Sequence, residues 1–324
     1  MGDQRENFSI TQRQEFNKII MQQLISSTAA YKIFAGDKAA NKLSHAYMLY
    51  YSDAYNLRYA LKELARVFFG GGRGGREDRL IEAEGLPDLK IYPTPEKKLT
   101  VDVAAEIVDD AYLRPVEGDK KLYIVCGIEE ASALFQNKLL KILEEPPQGV
   151  YFLLGATTLA PVLDTIISRV KTLEIPPFTQ REIFEALERT GSNPENGRVS
   201  AACGGILGVA QKMLGGGWYA QIREAADEIC AAADKKSAIA VALKYGDIKY
   251  KEELLAEMQR NYFFELQSYA KEENYKGKIS KGAVVCAVES INKAFTDLKF
   301  NANFSSLLYD FALKVALENE KWSR

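Results

Sequence analysis

The sequence predicts an α/β layer, a parallel sheet between helices, followed by a region that is helical to its last residues. Three observations predict it. Short apolar runs rich in β-formers alternate with helical periodicities through the first two-thirds of the chain, the pattern of a doubly wound sheet. Two of those runs, Lys121-Leu122-Tyr123-Ile124-Val125-Cys126 and Val150-Tyr151-Phe152-Leu153-Leu154, are apolar on both faces, as suits a parallel strand covered by helices on each side. After Pro176-Pro177 the strand signal vanishes. The expected division is an α/β domain at 1–178, a small helical domain at 179–215 and a helical domain at 216–324.

Taken in order, Phe8, Phe16, Ile19, Ile20, Leu24 and Ile25 predict a helix within 8–34 that docks on the body. His45-Ala46-Tyr47-Met48-Leu49-Tyr50-Tyr51 reads as a strand, with His45 a structural residue at its start. Leu57, Leu61, Leu64, Ala65 and Phe68 share one face of a helix over 57–69. Gly70-Gly71-Gly72-Arg73-Gly74-Gly75-Arg76 has no strand before it and no Lys-Ser or Lys-Thr after it, so it reads as a flexible surface linker rather than a phosphate cradle. Leu86-Pro87-Asp88-Leu89-Lys90-Ile91-Tyr92 is a turn and a short strand. Thr100 is placed to cap a helix over 101–113.

A further helix carries Ala131, Leu134, Phe135, Leu139, Ile142 and Leu143 at helical spacing, and Pro146-Pro147 stops it, since proline lacks the amide donor and disfavours helix in the residue before it. Glu144 and Glu145 fall in its last turn, where the helix dipole favours cations, and each costs a few tenths of a kcal/mol there. Two readings stand: a solvated end with a Lys or Arg nearby, or a rule broken for a function or a partner. Thr179-Gln180-Arg181-Glu182 resembles a capping box. Two helices over 180–190 and 198–214 follow, and Gly215-Gly216-Gly217 marks a boundary. Three apolar stripes then recur by three and four: Leu255, Met258, Tyr262, Leu266, Tyr269; Val284, Val288, Ile291, Phe295, Leu298; and Phe304, Leu307, Leu308, Phe311, Val315. They read as a bundle core or as an oligomer interface.

Composition narrows the function classes. A chain of 324 residues is too long for one ordinary core, and its 47% hydrophobic and 27% charged residues are those of a soluble globular protein. Net charge is −2, which gives no global pull towards nucleic acid. Cys126, Cys203, Cys230 and Cys286 are far apart with no C-x-x-C pair, against a zinc cluster or disulfide framework and in favour of reduced thiols. No secretory segment and no run of about 20 apolar residues is present, so a cytoplasmic, membrane-free protein is expected.

The central motifs are specific. Gln136-Asn137-Lys138-Leu139-Leu140-Lys141-Ile142-Leu143-Glu144-Glu145-Pro146-Pro147 resembles the "NALLKxLEEPP" motif of the clamp-loader branch of the AAA+ proteins. Thr165-Ile166-Ile167-Ser168-Arg169 is similar to that family's "SRC" arginine motif, with Val170 replacing the cysteine. Leu43-Ser44-His45-Ala46-Tyr47 matches its "SHAYLF" strand, Leu86-Pro87-Asp88 its "HPD" turn, and Ala302-Asn303 with Leu307-Leu308 a motif of its last helix. The resemblance implies a P-loop-like AAA+ domain, a helical lid and an all-α collar.

Two departures qualify what is implied. An active loader has G-x-x-x-x-G-K-[ST] after its first strand, whose amides, Lys and Ser/Thr serve phosphate and Mg²⁺. Here that window is Tyr51-Ser52-Asp53-Ala54-Tyr55-Asn56-Leu57-Arg58. Tyr51 and Asn56 stand at the glycine positions, Leu57 at the lysine and Arg58 at the hydroxyl. Cys126 and Gly127 occupy the places of the Mg²⁺-binding Asp and the catalytic Glu. Losing both motifs argues against hydrolysis in this chain. The family's four-cysteine zinc module is replaced by the segment 70–76, so no metal is expected, and no cofactor.

The resemblance therefore implies a non-catalytic subunit of the bacterial DNA polymerase III clamp loader, without intrinsic ATPase activity. Its collar would join ATP-binding subunits of gamma/tau type and a delta subunit. Its Arg169, with Ser168, would act in trans on a neighbour's ATP near an interface carrying Glu144 and Glu145, or else form a salt bridge within the subunit. The sliding clamp is an implied partner, and primer–template DNA an indirect or weak one. Lys138 and Lys141 are candidate phosphate contacts or simply a solvated helix face. Two alternatives stand beside this reading: a loader ATPase with an aberrant but active pocket, and a stand-alone adaptor outside replication.

Overall fold

In a computed structural model, residues 21–71, 73–190, 193–215, 217–271, 277 and 279–322 are described. The chain divides into two compact units, residues 1–211 and 212–324. Of the helix expected within 8–34, positions 8–20 lie outside the described residues; 21–27 are helical. That helix ends at Thr28, whose side chain caps a new one, α1 (Ala29–Ala39).

The first unit holds a five-stranded sheet in the order β2-β3-β4-β1-β5, with every pairing parallel. The strands are β1 (Ala46–Tyr51), β2 (Leu89–Tyr92), β3 (Lys121–Cys126), β4 (Val150–Ala156) and β5 (Lys171–Ile175). The three central strands, β1, β3 and β4, are buried almost without alternation, as parallel strands with two covered faces are, while the edge strand β5 alternates. The helices α2 (Leu57–Phe69), α3 (Arg76–Glu82), α4 (Val101–Ala111), α5 (Ala133–Glu144) and the single turn α6 (Asp164–Ile167) connect them. Thr100 caps α4 as its position predicts, accepting from Val103 N, and Ser132 caps α5 in the same way. Phe135, Leu139, Ile142 and Leu143 of α5 pack with Tyr123, Val125, Phe152 and Leu154 in one core.

On the other face α2 lies close against β4. A methyl at Gly155 would come within 2.6 Å of Leu61 Cδ1 and 3.3 Å of Leu57 Cδ1. Asp37 of α1 binds Lys171 Nζ at 2.5 Å and the Tyr47 hydroxyl at 2.7 Å. These hydrogen bonds hold its carboxyl below the usual range. His45 Nε2 lies 2.7 Å from Leu143 O, a structural tie.

The segment 70–76 differs from a plain linker. Gly72 is outside the described residues, but Arg73 pairs with Glu63, which is 1% exposed. Arg66 binds Glu63 at 2.9 Å and Asp78 and Glu82 at 2.5 Å. The glycines give reach, and the charges fix where the segment goes.

After β5, Thr179 and Glu182 form the predicted reciprocal cap: Thr179 N donates to Glu182 Oε2 at 2.8 Å and Glu182 N to Thr179 Oγ1 at 3.2 Å. Three helices follow rather than two: α7 (Gln180–Thr190), α8 (Asn196–Ala202) and α9 (Leu207–Gly215). The helix expected over 198–214 is broken at Gly204 and Gly205, both at positive φ, a conformation that ends a helix. The boundary between the two units falls inside α9.

The second unit is α10 (Trp218–Cys230), α11 (Lys235–Tyr245), α12 (Lys251–Lys271), α13 (Lys281–Lys299) and α14 (Phe304–Trp322). Its core takes in all three apolar stripes except Leu307. Leu255, Met258, Tyr262, Val284, Ile291, Phe304, Leu308, Phe311 and Val315 are buried, and Leu266, Tyr269, Val288, Phe295 and Leu298 pack on them. Of the two readings of the stripes, the bundle core is the one observed. All four cysteines are free. Among the described residues no helix is long and apolar enough to cross a membrane, and no cluster of His, Cys, Asp or Glu is placed to hold a metal.

Gly155→Ala will lower the unfolding free energy of the first unit by about 1–3 kcal/mol through overpacking, read by urea denaturation. A second prediction concerns Glu84. Burial works to raise its carboxyl, but Arg58 and Lys62 outweigh this and hold it at about 2. A depressed acid contributes stability above its unfolded value of about 4.3 and loses it as pH falls through the folded value. Stability will therefore fall between about pH 4 and 2, and Glu84→Gln will lose that contribution at neutral pH and flatten the fall.

Candidate functional site

In open α/β sheets, ligands bind outside the carboxyl ends of the strands. Here β1, β3 and β4 deliver Asp53, Cys126 and Thr157 to that edge. The N-terminus of α2 follows β1, and its free amides and dipole favour an anion there. The anion present is the chain's own Asp53 carboxylate, 1% exposed. It accepts from Asn56 N at 3.1 Å, Asn56 Nδ2 at 2.8 Å, the Tyr51 hydroxyl at 3.2 Å and Gly208 N at 2.7 Å.

Two of those donors are residues singled out from the sequence, Tyr51 and Asn56. The third side of the cradle comes from α9. Asn56 Nδ2 also donates to Gln211 Oε1 at 3.1 Å, so α9 is tied to the strand–helix turn twice. A Cβ at position 208 would collide with Asp53 Oδ1, which explains the glycine. Burial and the Asp53 charge both push the Tyr51 hydroxyl well above its ordinary value, so it stays protonated and donating.

Leu57 and Arg58 turn away from this cradle. Leu57 is buried at 2% exposure and faces Gly155 of β4. Arg58 Nε donates to Glu84 Oε1 at 2.8 Å, its Nη2 to Glu84 Oε2 at 2.5 Å and its Nη1 to Pro93 O at 3.0 Å. At the end of β3, burial pushes the Cys126 thiol up to about 11 despite Arg58 nearby; it is a poor nucleophile and a poor metal ligand at neutral pH. Gly127 sits at φ 76°, in the left-handed region. Glu129, not singled out from the sequence, accepts from Thr157 N at 2.7 Å and Thr157 Oγ1 at 2.5 Å.

The second group lies at the opposite edge. Arg169 precedes β5, whose five residues run parallel to β1 with Lys171 beside Tyr47 and Ile175 beside Tyr51. The four steps from Lys171 to Ile175, at about 3.3 Å per residue, span about 13 Å, and Arg169 and Asp53 each lie two residues beyond an end of that span, so more than about 13 Å separates them along the sheet. Arg169 Nε donates to Glu144 Oε1 at 2.6 Å, and its Nη1 to Thr165 O at 2.8 Å and Ser168 Oγ at 3.2 Å. The ion pair is partly exposed, at 33% for Arg169 and 46% for Glu144, and such pairs contribute about 0–1 kcal/mol. Of the two readings of Glu144, the nearby arginine is thus present, and of the two readings of Arg169, the salt bridge within the subunit is made in the chain by itself. Glu145 follows as the exposed C-cap of α5, its N donating to Lys141 O at 3.0 Å. Lys138 and Lys141 are exposed on α5.

Asp53 and Gln136 were not singled out from the sequence as site residues. Asp53 had a local signal, an acid four residues before the first helical position. Gly208 and Gln211 had none, since their partners are 155 residues away.

This chain is similar to known proteins. The family described as "DNA polymerase III, delta subunit" matches residues 26–179. A DNA polymerase III subunit delta' of Bacillus subtilis is 29% identical over 167 residues, covering 50% of this chain and 51% of that protein. One of Haemophilus influenzae is 32% identical over 130 residues, covering 40% and 39%. A DNA polymerase III subunit gamma of Buchnera aphidicola is 26% identical over 180 residues, covering 54% and 47%. The chain thus spans about half the length, or less, of the curated relatives it matches. Residues 26–179 are therefore similar to the DNA polymerase III delta-subunit family, and delta' subunits are among the relatives of this chain.

Proposed function

We propose that this chain is a non-catalytic, delta'-type subunit of a bacterial clamp loader. It binds no nucleotide in cis and supplies Arg169 to ATP held by a neighbouring subunit. One observation carries the reading: the chain's own carboxylate fills the anion position at the start of α2, while Arg169 stands at the opposite sheet edge, more than about 13 Å away along the sheet. A phosphate arriving at α2 would meet a buried negative charge and a leucine where a lysine is needed. An arginine at the far edge cannot reach that position, so any phosphate it meets belongs to another chain.

The partners that fit are ATP-binding subunits of gamma/tau type and a delta subunit, joined through the helical unit 212–324 as a collar. The sliding clamp is then the cargo, and primer–template DNA is met indirectly or weakly, with Lys138 and Lys141 on the exposed face of α5 as candidate phosphate contacts. Glu144 holds Arg169 until the neighbour's phosphate replaces it. A charge-assisted pair that is partly exposed is weak enough to exchange in this way.

Two outcomes are expected. The isolated chain will not retain a fluorescent ATP analogue in equilibrium binding; low-micromolar binding that is lost in Asn56→Ala or Leu57→Ala would favour an active, aberrant ATPase pocket instead. Arg169→Ala will leave the reconstituted complex assembled but lower hydrolysis at the site it faces by roughly 10³-fold or more. This is measured as clamp- and DNA-stimulated ATPase, with turnover at the other sites retained. Unchanged ATPase in a correctly assembled complex would show that Arg169 has no trans role.

A further inference from the structure

The helical turn that carries Arg169 cannot hold itself in place. It has four residues, Asp164–Ile167, and a helix that short is not stable on its own. Its C-terminal side is closed by Ser168 N to Asp164 O at 2.9 Å and Arg169 N to Ile166 O at 2.9 Å, and Ile166 is in the core. Its entry is held from elsewhere. Leu163, the residue before the turn, donates its N–H to Gln136 Oε1 at 2.9 Å. Gln136 Nε2 donates to Pro161 O at 3.2 Å in the same segment.

Gln136 lies in α5 and is 1% exposed. Its amide nitrogen also donates to Ala131 O at 3.1 Å and Ile128 O at 3.4 Å. One buried amide therefore joins three pieces of chain: the turn after β3, the body of α5 and the segment leading to Arg169. No apolar side chain of this size supplies both an acceptor for Leu163 N and a donor for Pro161 O.

We infer that Gln136 is the positioning residue for Arg169: it fixes the entry of the Asp164–Ile167 turn so that the guanidinium is presented at a set height above β5. The inference rests on the proposed trans role of the arginine. Glu144 lies on the same helix two turns further on, so α5 sets both the base of the arginine and the carboxylate on which it waits.

The test is a cycle of complexes reconstituted with wild type, Gln136→Met, Arg169→Ala and the double variant, each checked for assembly. Gln136→Met keeps the volume and removes both hydrogen-bonding ends. It is expected to lower kcat at the arginine-dependent site by roughly 10²-fold, as a misplacement of about 1 Å does, with little change in KM. In the Arg169→Ala background it is expected to add no further loss. Equal loss in both backgrounds would make Gln136 a general structural residue and overturn the inference. Loss in Arg169→Ala with none in Gln136→Met would overturn it too, leaving the trans role standing. No loss in Arg169→Ala would end the trans role itself, and the inference with it.

Gln136→Glu, which keeps the acceptor for Leu163 N but turns a carboxylate towards three carbonyls, is the second variant and is expected to show the same kinetics. Hydrogen exchange on the isolated chain keeps the test independent of assembly. Faster exchange at Leu163 and across 164–169, with β3 and β4 unchanged, is expected in Gln136→Met. Unchanged protection at Leu163 would contradict the tie.

Discussion

The first unit depends on one buried carboxylate. Asp53 sits where β1 ends and α2 begins, and it takes hydrogen bonds from Tyr51, Asn56 and Gly208. A buried charge is costly unless its lone pairs are occupied. Here four donors and the α2 dipole occupy them. The consequence reaches beyond the turn, because one donor is the first turn of α9. The charge that fills the cradle also fixes where the chain runs 155 residues later. Asp53 is covalently part of the chain, so this contact is made without any bound ligand.

The sheet then separates two kinds of chemistry. Its carboxyl edge carries the Asp53 cradle and the inert end of β3, where Cys126 is held protonated by burial. Its amino edge carries Arg169 and Glu144. The helix α5 spans the distance between them. Near its start, Gln136 touches the turn after β3 and the segment before Arg169; at its last residue, Glu144 receives the guanidinium. The acidic end of α5, awkward against the helix dipole, is compensated by that arginine when the chain is alone.

Much of the fold was legible in the sequence for a local reason. The strands β3 and β4 are buried on both faces and read as unbroken apolar runs. Thr100 and Thr179 cap helices at positions their spacing marks, and the three helical stripes became a core because helical period is a local property. What was not legible is long-range or conformational. The break at Gly204-Gly205 depends on two positive φ angles that the composition of 198–214 does not dictate. The charges that pin segment 70–76 lie on α2 and α3, so the glycines alone read as a linker. The identities of Tyr51, Asn56, Leu57 and Arg58 marked the window as altered. That Asp53 fills it required Gly208 to be placed in space.

The role proposed for this chain is to act on a neighbour's nucleotide while holding none itself. The most direct measurement is an electron cryomicroscopy structure of the complete loader with a non-hydrolysable ATP analogue. The account predicts that Asp53 keeps its four donors with no nucleotide at α2. It also predicts that Arg169 leaves Glu144 and comes within hydrogen-bonding distance, about 3 Å, of a phosphate bound by the adjacent subunit. Nucleotide density at the start of α2, or an Arg169 still paired with Glu144 and facing no phosphate, would contradict it.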